Sequence, residues 1–91
     1  MSRQGGMYMA RIIDGTDMNM VGANVRKFRI ARNMSQQMLS NKLEMMAIYI
    51  CRGSISRIED KRRTVTDIEL YGIAKVLGVS VTDLYEEITQ E

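Results

Sequence analysis

Hydrogen-bond donors are concentrated in residues 50–59, namely Arg52, Ser54, Ser56 and Arg57. Ile55 and Ile58 lie three residues apart and therefore share one face of a helix. The donors occupy the other sides of that helix, and the acids Glu59 and Asp60 come at its end. Such a face suits a surface rich in acceptors and negative charge. The major groove of DNA is one, because guanine offers two acceptors to an arginine fork. A solvated amphipathic helix is the alternative interpretation.

The net charge of +2 conceals an uneven distribution along the chain. Residues 22–63 carry ten basic and three acidic side chains, whereas residues 64–91 carry one basic and six acidic ones. This pattern predicts an anion-binding surface on the middle of the chain and a solvating or partner-facing C-terminal part.

Composition narrows the class of protein. The 91 residues are enough for one small domain, with no proline and few aromatic residues, so a helical, aliphatic core is expected. The chain has no histidine and a single cysteine, Cys51, so we expect no enzyme, no metal site and no cofactor. No apolar run approaches the ~20 residues of a membrane span, and no secretory signal opens the chain, which favours the cytoplasm.

Hydrophobic spacing predicts five helices within one domain, residues 19–88. The predicted helices are Met20–Arg32, Gln36–Met46, a third beginning at Arg52, Asp67–Leu77 and Val81–Glu87. Residues 1–18 lack a helical stripe and are expected to form a loosely ordered, flexible arm, and residues 89–91 a short tail. The residues expected to face the core are Val21, Val25, Phe28, Leu39, Leu43, Ile55, Ile58, Leu70, Ile73, Ala74, Leu77, Val81 and Leu84.

Residues with capping side chains mark most of the predicted helix ends. The expected N-caps are Asn19, Ser35, Thr66 and Ser80. Thr66 and Glu69 have the spacing of a capping box. Asn33 and Gly78 follow predicted helices and can adopt the left-handed conformation that ends one.

Several segments in a fixed order resemble the Cro/repressor-type helix-turn-helix domain, the XRE family. The segments are Val25–Arg29, Met34–Gln37 with Leu39 and Leu43, Ile55–Glu59, Ile73–Ser80 and Asp83–Leu84. Each is weakly specific alone, but their order and spacing together are strongly specific. The resemblance implies an all-α, five-helix, lambda-repressor-like domain whose second helix crosses the DNA backbone and whose third lies in the major groove.

The resemblance also implies roles for individual residues. Base contacts fall to Arg52, Ser54 and Arg57, and phosphate contacts to Gln36, Gln37, Lys61, Arg62 and Arg63. A structural ion pair between Arg29 and Glu59 joins helices one and three. Independently of the family, the N-terminus of a helix favours an anion, which supports the role of Gln36.

The chain departs from the family pattern at two places. Eleven residues separate Leu43 from Ile55, where the family usually has about six, so we expect helix two to gain a turn and the rest to pack as a connector. Lys61 stands where glycine is common after helix three, and the basic loop could therefore differ in shape. Cys51 is a poor N-cap and is expected to be buried and inert.

These observations favour a sequence-specific regulator of transcription that binds double-stranded DNA, most simply a repressor that occupies a palindromic operator as a homodimer. The alternative is a protein-interaction module, such as an antitoxin or the partner of an anti-repressor, that uses its exposed methionines. Neither interpretation involves a membrane.

Overall fold

The computed structural model describes residues 16–86, and their regular structure is entirely helical. Five helices follow one another along the chain: α1, Gly22–Ala31; α2, Gln36–Glu44; α3, Arg52–Glu59; α4, Asp67–Leu77; and α5, Val81–Tyr85. The all-α, five-helix fold predicted from the sequence is thereby confirmed. The predicted arm lies outside the described residues except for positions 16–18, and so does the predicted tail.

One apolar cluster joins all five helices. Its buried members are Val21, Val25, Met34, Leu39, Leu43, Ile48, Ile50, Ile55, Ile58, Ile73, Ala74, Leu77 and Leu84. Phe28 and Leu70 are only half-buried at its edge. Val81, which was expected to face inward, is 37% exposed, and Leu84 is the one buried residue of the short α5. The side-chain amide of buried Asn24 in α1 donates to the Leu84 carbonyl at 2.9 Å and fixes α5 in place.

Three of the predicted N-caps act as expected. The side chain of Ser35 accepts a hydrogen bond from the Met38 amide, and the Thr66–Glu69 capping box is complete. The Ser80 side chain caps α5 in the same way. At α1 the regular helix begins later than predicted, with Val21 at the N-cap position, but the Asn19 side chain still accepts hydrogen bonds from the first amides.

The longer helices α1 to α4 are each followed by a residue in the left-handed conformation. These residues are Asn33, Ala47, Lys61 and Gly78. After α3, the Lys61 amide donates to the Ile58 carbonyl and the Arg62 amide to the Arg57 carbonyl, which is the Schellman pattern. Lys61 has a φ of 63° and so adopts the conformation that favours glycine at this position.

The long connection between α2 and α3 is packed onto the core. Helix α2 ends at Glu44, earlier than predicted, and one tight turn then closes at Ala47, so the expected extra helical turn does not form. Ile48 fills the space over Gly72 of α4, where a Cβ atom would collide with its side chain. The Ser40 hydroxyl donates to the Ile50 carbonyl at 2.6 Å. The rest of the insert thus packs as the connector that the sequence predicted.

Candidate nucleic-acid interface

The inner face of α3 is locked to α1. Arg29 Nε lies 2.6 Å from Glu59 Oε2 and Arg29 Nη2 lies 3.0 Å from Glu59 Oε1, and both side chains are buried. Arg29 Nη1 also donates to the Met34 carbonyl at 2.7 Å. A buried charge pair needs this completeness, because each unmatched donor or acceptor would cost desolvation energy. The ion pair that the resemblance implied is therefore present, with a third bond that sequence reasoning did not foresee.

A glycine of α1 allows the backbones of the two helices to approach closely. A Cβ atom at Gly22 would collide with the carbonyl oxygen of Ile58. The side-chain amide of Asn19 adds a second tie, since it donates to the carbonyls of Ile58 and Arg63 at 3.0 and 2.8 Å. Contacts with α1 thus fix the inner side of α3, while Arg52, Gly53 and Arg57 on other sides of the helix are exposed.

The outer face of α3 carries the three residues expected to contact bases. Arg52 and Arg57 are exposed and Ser54 is partly exposed. Arg57 Nη2 donates to Ser54 Oγ at 2.9 Å, whereas Arg52 has no hydrogen-bond or ion-pair partner within residues 16–86. No carboxylate of the described residues neutralises either guanidinium. Both forks are therefore available to acceptors outside the chain.

Cys51 occupies the N-cap of α3 but is exposed, so the expectation that it would be buried was wrong. The residue falls outside the core because Ile50, immediately before it, takes the inward position. Cys51 Sγ lies 3.5 Å from Ser54 Oγ. Hydrogen bonds from the Ser54 hydroxyl and from the first amides of α3 lower the pKa of this thiol, and Arg57 adds a smaller effect.

The basic loop after α3 divides into two parts. Lys61 lies 3.8 Å from Asp17 and Arg62 lies 3.4 Å from Asp60, in loose pairs at the surface. Arg63 instead makes a bidentate pair with Glu69 of α4, at 2.9 and 3.0 Å, which is largely screened from solvent. These bonds lower the pKa of Glu69 and engage both terminal nitrogens of Arg63, whose expected phosphate contact stays a prediction.

The two glutamines at the start of α2 differ in the same way. Gln36 is half-buried, and its Nε2 donates to Glu59 Oε1 at 3.0 Å, which leaves one amide hydrogen free. Gln37 is exposed and bonds only to Asn41, one turn along the helix. Gln36 therefore stands on the α3 side of α2, next to the buried ion pair.

The basic charges of the middle segment do not form one continuous patch. Arg29 and Arg63 are neutralised within the fold, and Arg32 donates to the Leu77 carbonyl at 2.6 Å, at the end of α4. In α3 and the loop after it, the cations without a buried or bidentate carboxylate partner in residues 16–86 are Arg52, Arg57, Lys61 and Arg62. The sequence did not reveal the bonds from the Asn19 amide or from Arg32, because both donate to backbone carbonyls distant in the chain.

A helix held by a buried ion pair on its inner side, with exposed arginines on its outer side, and packed against the helix that precedes it, is the arrangement of a DNA-binding helix-turn-helix. The helix-turn-helix family profile matches residues 25–84, which is more than half of the chain. The chain therefore belongs to this family, as a helix-turn-helix transcription regulator of the XRE type that binds double-stranded DNA. No curated protein and no solved structure matches it. Among residues 16–86, no helix has the length and apolarity to cross a bilayer.

Proposed function

We propose that this regulator is a repressor, and that it binds a palindromic operator as a homodimer with α3 of each subunit in the major groove. In this mode the N-terminal residues of a recognition helix reach the base edges. Half-sites then lie about one helical turn, ~34 Å, apart. A DNA-binding domain of this size acts most simply by occupying its operator in the cytoplasm.

The observation that carries this proposal is the contrast between acids and arginines on α3. The one acid of α3, Glu59, is turned inward to Arg29, while Arg52 and Arg57 are exposed without a carboxylate partner in residues 16–86. A helix stabilised only by solvation would gain from acids interspersed with its arginines. Free guanidinium forks instead suit guanine O6 and N7, each good pair contributing about 1–3 kcal/mol of discrimination.

Phosphate contacts would hold the subunit in register. In our proposal they come from Gln36 and Gln37 at the start of α2 and from Lys61 and Arg62 beyond α3. The pair of Lys61 is long and partly exposed and that of Arg62 is long and exposed, so a phosphate can replace either carboxylate at little cost. Such contacts provide affinity without sequence information.

The direct test is a selection of bound sequences from random duplexes with the full chain. We expect enrichment of an inverted repeat whose two halves are spaced by one helical turn. Analytical ultracentrifugation of the protein with the selected duplex should give two chains per duplex. Enrichment of a sequence without symmetry, bound by one chain, would overturn the dimeric arrangement. Failure to enrich any sequence would overturn specific recognition.

A second candidate function is a protein-interaction module, and exposed apolar residues favour it. Met45 is 86% and Ile68 66% exposed, and exposed methionines can adapt to the surface of a protein partner. Binding of a partner protein that is insensitive to salt, in a chain that shifts no DNA at low salt, would support this alternative over the operator model.

A further inference from the structure

Tyr49 is an exposed aromatic side chain on a segment whose backbone is fixed. Its side chain is 75% exposed, although both neighbours, Ile48 and Ile50, are buried. The Ile48 amide donates to the Leu43 carbonyl at 3.0 Å, and the Ser40 hydroxyl holds the Ile50 carbonyl at 2.6 Å. The phenol therefore projects from a rigid support, as contact residues at interfaces commonly do.

The alternation of buried and exposed residues places Tyr49 on the same side as Cys51. Residues 48–51 alternate between buried and exposed, which is the pattern of an extended chain whose side chains point to opposite sides in turn. From Cys51 the row continues along α3, with Sγ 3.5 Å from Ser54 Oγ and that oxygen 2.9 Å from Arg57 Nη2. Tyr49 thus extends the outer face of α3 beyond the N-terminus of the helix.

The distance along the chain indicates which part of a duplex Tyr49 would meet. Three residues of extended chain span at most about 10 Å, so Tyr49 lies up to that distance from Arg52. The major groove is about 12 Å wide, so a helix end at its centre has a groove wall within about 6 Å on either side. A side chain about 10 Å away therefore lies over the sugar–phosphate backbone and not over the base edges.

We propose that Tyr49 is a further DNA-contacting residue, whose phenol hydroxyl donates to a backbone phosphate oxygen while its ring packs on the adjoining deoxyribose. The inference rests on the proposed placement of α3 in the groove. It assigns a role to the long α2–α3 connection, which carries the contact surface past the first residue of the helix. Ser54 and Arg57, farther along the row, offer polar atoms to a duplex, whereas Met45 and Met46 of the same connection are exposed and apolar, so a protein contact is one outcome of the test.

The test compares Tyr49→Phe and Tyr49→Ala with the wild-type chain by fluorescence anisotropy, on the selected operator and on a mixed-sequence duplex, over a range of salt concentrations. Tyr49→Phe removes only the hydroxyl and should weaken binding about fivefold on both duplexes. The salt dependence should be unchanged, because a neutral donor releases no counterion. Tyr49→Ala should weaken binding further. Tyr71→Phe, at a 54% exposed tyrosine of α4, is the matched control and should bind as the wild type does.

Three outcomes would overturn the inference while leaving the proposed function intact. The first is wild-type affinity for both Tyr49 variants. The second is a loss confined to the operator, which would assign Tyr49 to a base. The third is a Tyr49→Ala variant whose association state without DNA, measured by analytical ultracentrifugation, differs from that of the wild type while its DNA affinity per assembly is unchanged. That result would assign Tyr49 to a protein contact. A wild-type chain that binds neither duplex would instead overturn the proposed function and this inference with it.

Discussion

The two faces of α3 differ in how their charged side chains are paired. On the inner face the guanidinium of Arg29 and the carboxylate of Glu59 are buried and form an ion pair. On the outer face Arg52 and Arg57 are exposed, and the nearest polar partner is the hydroxyl of Ser54. The inner face therefore holds the helix in place, and the outer face is left with unused donors.

The role of an arginine in this chain depends on the groups around it and cannot be assigned from the residue type alone. Arg62 and Arg63 are consecutive, yet Arg63 is engaged by Glu69 while Arg62 has only a long surface contact. Whether a carboxylate lies within reach on a neighbouring element decides the role. Variants on the inner side should therefore change stability, and variants on the outer side should change DNA binding.

The largest expected effect is on the inner face. Glu59→Ala would leave Arg29 buried without its counter-charge and should destabilise the fold by about 3–5 kcal/mol. Urea unfolding followed by circular dichroism measures this difference. Asp60→Ala, at the next and exposed position, is the control and should change the free energy of unfolding by less than about 1 kcal/mol. A loss of similar size in both variants would contradict the distinction between the faces.

Gly22 of α1 lies against the inner side of α3 and Gly53 on its outer side, so a methyl group added at each should affect stability differently. Gly22→Ala places a methyl group against the Ile58 carbonyl and should destabilise the fold by about 1–3 kcal/mol. Gly53→Ala, on the outer side of α3, meets only the end of the Arg57 side chain at 3.9 Å and should stabilise it by about 0.5–1 kcal/mol. Thermal unfolding of both variants checks the opposite signs, and the same sign for both would refute the assignment.

On the outer face, Arg57→Ala should leave the unfolding free energy nearly unchanged and weaken operator binding by about 1–3 kcal/mol. Discrimination should relax at a single base position of each half-site, because one guanidinium fork reads one base pair. Competition binding with operators substituted one position at a time measures this. An equal loss on operator and mixed-sequence DNA would remove Arg57 from the base-reading set.

The loop beyond α3 allows a finer comparison. Arg62→Ala should weaken binding to all sequences alike and reduce the slope of log K against log salt by about 0.9. Arg63→Ala should have little effect on that slope and should instead lower stability, since it breaks the pair with Glu69. Salt titrations of the two variants, with unfolding curves alongside, distinguish these outcomes. A reduced slope for Arg63→Ala would restore it to the phosphate contacts.

The smallest expected effect is the dependence of folding stability on pH through Glu69. Hydrogen bonds with Arg63 hold the pKa of Glu69 below its ordinary value. A lowered pKa in the folded state contributes stability above the unfolded pKa, about 4.3, and that contribution is lost as pH falls through the folded value. The stability difference between wild type and Glu69→Gln should therefore shrink in acid. In an Arg63→Met background, Glu69→Gln should change the free energy of unfolding little at any pH. If the effect of Glu69→Gln in the wild-type background does not depend on pH, the link between the Glu69 pKa and stability is excluded.

Local patterns predicted most of the fold. The bounds of α4 and its capping box followed from Thr66, Glu69 and Gly78, because capping depends on residues within a few positions of each other. The buried stripes of α2 and α3 followed from helical spacing. The burial of Cys51 was predicted wrongly, since local pattern does not say which of two adjacent residues, Ile50 or Cys51, meets the core.

The sequence by itself determined the helices, the turn residues and the concentration of arginines in one short helix, because these depend on neighbours along the chain. Only the tertiary structure decided which charges remain free. Glu69 captures Arg63 and the Leu77 carbonyl captures Arg32, through contacts between separate elements. The energy of an ion pair depends on the distance between the charges in space and not on their separation in sequence. The packing of the helices therefore determines which cations remain unpaired.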